Sequence, residues 1–219
     1  MTVIAIDGPA GAGKSTVARA VARRLGFEYL DTGAMYRALA LAALEQKTDL
    51  EDEGTLTQLA ETIDIELRGD VVTLNGTDVS RAIRSHAVTG VVSRVAAVEG
   101  VRRAMAARQR ARADGGNLVM EGRDIGSAVV PEADVKIFLT ASQRERARRR
   151  ARQLGLATDE RSIEELSRSI EQRDRADAER KASPFVRASD AVVVDSTEKD
   201  IDTVVEEIAK AAERAIHGR

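Results

Sequence analysis

Gly8-Pro9-Ala10-Gly11-Ala12-Gly13-Lys14-Ser15 stands between two segments of opposite character. Before it, Val3-Ile4-Ala5-Ile6 is a short apolar run of the kind that forms a buried strand. After it, Val17, Ala18, Val21, Ala22 and Leu25 recur at helical spacing. The octapeptide fits G-x-x-x-x-G-K-[ST] at every fixed position, in the strand, loop and helix context that a phosphate-binding loop requires. Glycines let such a loop curl so that its backbone N–H groups converge on anionic oxygens, and the helix N-terminus adds partial positive charge. Lys14 is expected at an exposed loop end, reaching the β- and γ-phosphates, and Ser15 is expected to offer its hydroxyl to magnesium.

Working outward, the same alternation of buried strand and helix continues. Phe27-Glu28-Tyr29-Leu30, Asn117-Leu118-Val119-Met120, Val135-Lys136-Ile137-Phe138-Leu139 and Ala191-Val192-Val193-Val194 read as four further short strands. Helices are expected over residues 34–46, with Asp31 or Thr32 as cap, over 83–112, over 162–181 and from about 199. The fold class is therefore α/β, a five-stranded parallel sheet covered by helices on both faces. Sheets of this kind bind ligands beyond the C-terminal ends of their strands. The glycine loop and the turns at Asp31, Glu121 and Asp195 all lie there, so they should face one crevice.

One region departs from this rhythm. Ile63-Asp64-Ile65-Glu66-Leu67 and Val72-Thr73-Leu74 alternate apolar and polar residues, with turn residues at Gly69 and Asn75-Gly76. They predict a small antiparallel insert. The whole chain, 1–219, is expected to be one domain, with a core of 1–48, 85–143 and 184–219, an insert at 49–84 and a lid at about 144–183.

Composition narrows the chemistry. With 219 residues and 43% hydrophobic residues the chain can build a full core, but aromatics are only 2%, so aliphatic side chains must fill it. There is no cysteine, which removes disulfides, thiol nucleophiles and cysteine metal sites. His86 and His217 are far apart, His217 in a tail expected to fray, which argues against a histidine metal site. A net charge of −2 makes no global case for nucleic acid or anionic membrane. No leader segment or apolar run near ~20 residues is evident, so a cytoplasmic protein with no membrane partner is expected.

The arginines are distributed unevenly. Arg144, Arg146, Arg148, Arg149, Arg150 and Arg152 crowd one segment in which Glu145 is the only acid. This suits a solvated helix face, a nucleic-acid patch or a mobile lid. A patch for single strands usually interleaves aromatics, and none are here. Arginine suits a lid over phosphates because its planar fork binds their oxygens bidentately. Farther on, Arg173, Asp177 and Arg180 fall four and three residues apart, on one face of a helix. That face is either an exposed ion-pair ladder or a wall over the crevice.

Taken together, residues 8–16, Asp31-Thr32-Gly33-Ala34-Met35-Tyr36-Arg37, Gly122-Arg123-Asp124 and Arg173-Asp174 with Asp177 and Arg180 resemble bacterial cytidylate kinases. The likeness runs from the first strand to the last helix. It implies transfer of the ATP γ-phosphoryl group to CMP, and to dCMP, with magnesium as cofactor, in a monomer without nucleic-acid or membrane partners. ATP would be held by Gly8, Pro9, Ala10, Gly11, Ala12, Gly13, Lys14, Ser15 and Thr16. CMP would be held by Thr32, Tyr36, Arg37, Ser93, Arg102, Arg123, Asp124, Arg173, Asp177 and Arg180. Within that set Ser93, Arg102 and Asp124 would read the base, Arg37, Arg123 and Arg180 the phosphate, and Arg173 and Asp177 the ribose and phosphate. Lys14, Arg123, Arg173 and Arg180 would be catalytic. Glu121 receives no catalytic role. Other small-molecule P-loop kinases remain an alternative. A GTPase-like switch is disfavoured because no N-K-x-D motif is present, and a nucleic-acid-dependent ATPase rests on the arginine cluster alone.

Overall fold

The computed structural model describes residues 1–217, the last two by backbone alone, so the side chain of His217 lies outside the described residues. β1 (Val3–Asp7) leads through the glycine loop into α1 (Lys14–Leu25), β2 (Glu28–Asp31) and α2 (Thr32–Glu45). α3 (Glu53–Thr62) precedes an antiparallel meander of β3 (Ile65–Arg68), β4 (Val71–Leu74) and β5 (Thr77–Asp78). Then come α4 (His86–Val95), α5 (Glu99–Ala113), β6 (Leu118–Gly122) and β7 (Val135–Thr140). The chain closes with α6 (Gln143–Leu154), α7 (Glu160–Ala178), β8 (Val192–Asp195) and α8 (Ile201–His217).

The five apolar runs form one parallel sheet in the order β2-β6-β1-β7-β8. β1 lies at its centre and is buried at all five positions, which is why its sequence is apolar throughout rather than alternating. On one face, Val17 and Val21 of α1 and Val204 and Ile208 of α8 pack on Ile4, Ile6 and Ile137. On the other face, Ala5, Leu30 and Met120 meet Ile125, Val129 and Val130, which belong to a single wide helical turn after β6 and the residue following it. Because every strand runs the same way, all five C-terminal ends emerge along one edge.

A separate apolar cluster unites α2, α3, the meander, α4 and α5, from Ala34 to Met105. It has members on both sides of residues 48–49 and of residues 84–85. Val88, Val92 and Val101 share it with Leu56, Val72 and Leu74, so α4 and α5 are packed with the meander.

Several boundaries differ from expectation for physical reasons. The segment at 83–112 is two helices, not one. It breaks at Ala96-Ala97-Val98, where Val98 adopts an extended conformation and the side chain of Arg102 donates to the Ala96 carbonyl at 3.2 Å. Periodicity could not show this break, because apolar spacing continues on both sides of it. Asp31, not Thr32, caps α2: its carboxylate accepts from the Ala34 N–H at 3.0 Å, a contact worth ~1 kcal/mol. Ile63 ends α3 rather than opening a strand. β6 runs on through Glu121 and Gly122. α7 stops at Ala178, so Arg180 lies beyond the helix.

Candidate functional site

The glycine loop is clamped between two neighbours. At Gly8 (φ 154°) a Cβ would stand 2.0 Å from the Leu139 carbonyl oxygen of β7. At Gly11 (φ 78°) it would stand 2.7 Å from the Arg146 carbonyl oxygen of α6. Neither position can carry a side chain without moving backbone. Lys14 is half-buried, and its ammonium donates to the Pro9 carbonyl at 3.0 Å. That departs from the exposed loop end that was expected: α1 begins at Lys14 itself, which turns the side chain back over the loop. Burial and then the neighbouring Arg123 push its pKa down. Thr16, the last of the loop residues, is exposed and lines a cavity of about 640 Å³ with Arg149, Gln153, Ser196 and Ile201. The turn after Asp195 was expected to face the crevice, but the part taken by α6 and the start of α8 carries no motif.

Glu121 changes status in the structure. Its side chain ends beside β1, buried, and accepts from the Ser15 hydroxyl and from the Tyr29 hydroxyl at 3.1 Å. Its carbonyl accepts from the Thr32 hydroxyl at 2.7 Å. Burial, then repulsion from Asp31, raises its pKa. An acid directly after an apolar strand run was the signal available in the sequence; in the sheet it pairs with Ile6, two residues before the glycine loop. Asp7, at the end of β1, accepts from the N–H groups of Ile125 and Gly126 at 2.8 and 2.7 Å. It thereby ties the loop to the wide turn after β6. Burial pushes its carboxyl up to about 6 against those two bonds.

On the other side of the loop the side chains come from α2, α5, the end of β6, and α7. Arg102 and Asp124 form an ion pair, with residue exposures of 4% and 5%. The Arg102 guanidinium also lies 5.5 Å from the Tyr36 ring centroid, and its Nε is buried without a protein partner. Ser93 is half-buried on α4. It sits one turn after Thr89, whose hydroxyl accepts from Arg37 at 3.1 Å. Ser93 and Thr89 therefore share a face.

Arg123 leaves the end of β6 and meets α7. It bonds Asp174 at 2.7 Å and Asp177 at 3.0 Å, and its guanidinium lies 5.0 Å from the Phe185 ring centroid. Phe185 in turn stacks on Phe138 at 5.8 Å. Arg180, although outside α7, still reaches Asp177 at 3.0 Å. The ladder reading of Arg173, Asp177 and Arg180 as an exposed helix face does not hold, since Asp177 is buried. Arg173 has a buried, unpartnered Nε, and burial followed by repulsion from Arg123 and Arg37 pushes its pKa down to about 10. Burial and Arg150 likewise lower that of Arg37. Both remain cations at neutral pH. Guanidinium groups that depress one another beside a glycine loop make a site for an anion with several oxygens.

The crowded arginines of α6 are not left to repel one another. Arg144 pairs with Glu160 at 2.6 Å and Arg149 with Glu145 at 3.1 Å, while Arg146 pairs with Asp174. Arg146 and Arg149 also donate to the loop carbonyls of Ala10 and Ala12, each at 3.1 Å.

Three comparisons with known proteins bear on this arrangement. A family model described as cytidylate kinase matches residues 4–214. The chain belongs to the cytidylate kinase family. It is 50% identical to a cytidylate kinase of Geobacillus kaustophilus, over 97% of each chain. It is 48% identical to one of Solibacter usitatus, over 99% of this chain and 95% of that one. Membership makes the protein an enzyme, a kinase. Among solved structures it is similar to a gluconokinase of Sinorhizobium meliloti, with a TM-score of 0.53 and 14% identity, over 99% and 94% of the two chains. It is also similar to a shikimate kinase of Bacteroides thetaiotaomicron, with a TM-score of 0.50 and 17% identity, over 97% and 98%. At those identities the likeness speaks for the P-loop kinase fold alone. Among the described residues no helix is long and apolar enough to cross a membrane.

Proposed function

We propose that this cytidylate kinase family member transfers the ATP γ-phosphoryl group to CMP, and to dCMP, by positioning and electrostatic stabilisation. The observation that carries this reading is the convergence of Arg37, Arg123 and Arg173 beside the glycine loop, without a nucleophilic cysteine or histidine among them. The acceptor phosphate is already an anion, so no strong base is needed. What the reaction does need is in-line placement and cations over the equatorial oxygens.

The chain's own residues divide the work. Lys14 and the loop N–H groups of Gly11, Ala12 and Gly13 bind the donor phosphates, the Ala10 N–H being held by Asp174, and the cavity lined by Arg149, Gln153, Ser196 and Ile201 takes the donor nucleoside. Arg37, Arg123 and Arg180 bind the acceptor phosphate, Arg173 and Asp177 the ribose side, and Thr32 with Tyr36 closes the wall beneath. Lys14, Arg123, Arg173 and Arg180 spread the charge of the migrating phosphoryl group. Ser93, Arg102 and Asp124 read the base. An ionised carboxylate only accepts and a guanidinium only donates, so Asp124 suits the 4-amino group of cytosine and Arg102 its N3. Uracil would oppose acceptor to acceptor and donor to donor. The unpartnered Nε of Arg102 supports this role, since a buried donor of that kind calls for a partner.

The Ser15 hydroxyl and the Glu121 carboxylate fit a hard cation that prefers oxygen ligands, phosphates and water. Magnesium bound there with ATP would supply charge neutralisation to the phosphates. Among the described residues no group of three acids or histidines could hold a metal without such help. We further propose that the enzyme works as a monomer on small-molecule substrates in the cytoplasm, with residues 144–183 as a lid.

The test is a panel of nucleoside monophosphates with ATP. ADP formation should depend on added CMP or dCMP and exceed that with UMP by at least ~100-fold in kcat/KM. A preference for AMP, UMP or a sugar acid would overturn the base-reading roles.

A further inference from the structure

Outside the residues assigned so far, the most connected polar group in the site is Asp174. It stands on α7 beside Arg173, buried to the same degree as the arginines it holds, with 15% of its side chain exposed. One oxygen, Oδ1, accepts from the Ala10 N–H of the glycine loop at 3.1 Å and from Arg123 at 2.7 Å. The other, Oδ2, accepts from Arg146 of α6. Arg146 also donates to the Ala10 carbonyl at 3.1 Å. A single carboxylate thus joins the donor loop, the arginine that leaves β6 and the first turn of α6. Burial acts to raise its pKa, but Arg123, the Ala10 N–H and Arg146 overcome that and hold it below the usual carboxylate range.

Two functions suit such a contact. In one, Asp174 occupies a place that phosphate oxygens would take, and acts as a latch that substrate must displace. In the other, it fixes the direction of Arg123 and Arg146 so that both guanidinium groups are aimed before substrate arrives. The geometry favours the second. Arg123 has a further carboxylate, Asp177, and the Phe185 ring to rest on, so it is held from several sides rather than diverted. Each arginine also bonds a loop carbonyl, Gly8 for Arg123 and Ala10 for Arg146, which sets both against the loop itself.

We propose that Asp174 is a positioning residue for phosphoryl transfer, holding Arg123 of the acceptor side and Arg146 of the lid against the glycine loop. This rests on the reading of Arg123 as a ligand of the acceptor phosphate. Asp174 touches no substrate atom in this scheme and acts through the two arginines. Their misdirection by about 1 Å is enough to lower a transfer rate by ~100-fold.

The experiment compares Asp174→Asn with Arg123→Gln and with the double variant Asp174→Asn/Arg146→Gln in the full-length enzyme. It measures kcat, KM for CMP, equilibrium binding of ATP, and the folded fraction by thermal melting. For Asp174→Asn the expected result is a fall of ~100-fold in kcat per folded molecule, with ATP binding within about threefold of wild type. The Arg146→Gln change should then add little, because both changes break one unit. A folded Asp174→Asn enzyme with wild-type kcat, or one that binds ATP more tightly and turns over faster, overturns the proposal; the second of these is the latch. Arg123→Gln separates the levels. If it retains wild-type kcat and KM, the acceptor-phosphate assignment fails, and the proposal with it. If it is crippled while Asp174→Asn is not, only the role of Asp174 falls.

Discussion

The donor and acceptor sides of this site are built from different materials. The proposed donor side is mainly backbone: the loop at residues 8–13, with the Lys14 ammonium and the Ser15 hydroxyl added. The acceptor side is made of side chains, from Thr32 on α2 to Arg180 beyond α7, that meet only in three dimensions. Backbone recognition must be contiguous, since neighbouring N–H groups have to converge, and it demands glycine where side chains would collide. Side-chain recognition needs only that the elements arrive at one edge of the sheet. Its parts can be scattered through the sequence, and each one alone resembles an ordinary surface charge.

That contrast explains how much was legible. The five strands, their parallel sense and the loop at the end of β1 follow from apolar runs and one motif, and they stand as read. The short antiparallel insert followed from alternation alone, although its third strand, Thr77–Asp78, was too short to signal itself. Apart from Arg173, Asp177 and Arg180, which spacing put on one helix face, positions within the acceptor side came from family resemblance. Arg102 shows why. In sequence it is one of many arginines in α5, and only the fold buries it against Asp124 and the Ala96 carbonyl. Asp174 was quoted within a motif but given no role, because nothing local says that an acid on an arginine-rich helix will reach the N–H of Ala10. The α6 arginines show the converse: in sequence they stand almost without acids, yet acids from α6 and α7 meet several of them in the fold.

If the donor side is backbone plus one essential charge, removing that charge should be the most damaging single change. Lys14→Ala is expected to lower kcat by about 1000-fold or more, since the ammonium acts on charge that develops in the transition state. The fold should survive, because the lysine is only half-buried and makes a single hydrogen bond, to Pro9, although Glu121, Asp174 and Asp7 attract it against the repulsion of Arg123. Steady-state kinetics beside a thermal melt decide the matter. A well-folded Lys14→Ala protein with wild-type kcat would break the donor assignment.

Asp7 tests whether the two sides are mechanically joined. Its folded-state pKa of about 6 lies above the unfolded value of 3.8. The folded protein therefore binds the extra proton between those values. The stability this contributes is fully present below pH 3.8 and is lost as pH rises through about 6. Carboxylates held low, such as Asp174, contribute in the opposite sense, so the wild-type profile alone is not informative. The difference between wild type and Asp7→Asn isolates the group. The stability of wild type relative to Asp7→Asn should fall by about 2 kcal/mol between pH 4.5 and 7 in urea unfolding. A flat difference would mean that the carboxyl titrates normally and that the joint to Ile125 and Gly126 is not under strain from burial.

Asp124→Asn sharpens the acceptor side. A side-chain amide can turn to donate or accept, so the variant should treat cytosine and uracil more evenly. The CMP/UMP ratio of kcat/KM is expected to fall by about tenfold. Breaking a buried pair with Arg102 will also lower activity toward both nucleotides. The ratio separates the two effects. An unchanged ratio with reduced activity would leave Asp124 as an anchor of Arg102 and remove it from base reading.

The smallest effect concerns the boundary between the two sides, at α6. Hydrogen exchange across residues 144–160 should slow when ATP and CMP are both bound, and the structure suggests a modest change of a few-fold rather than a disorder-to-order transition. Arg146 and Arg149 already donate to the Ala10 and Ala12 carbonyls, and Arg149 also meets Ser196, with its side-chain hydroxyl accepting at 2.8 Å and its carbonyl at 2.6 Å. What nucleotide adds is phosphate charge on the far side of the same guanidinium groups, and closure that excludes water from the transferring group. The gain should therefore concentrate in α6, whose arginines face the loop, and be weaker in residues 155–160, which touch none of it. Exchange that is equal with and without nucleotides would make α6 a fixed wall of the donor side. A gain confined to the CMP-bound form would instead attach it to the acceptor side, through Asp174 and Arg123.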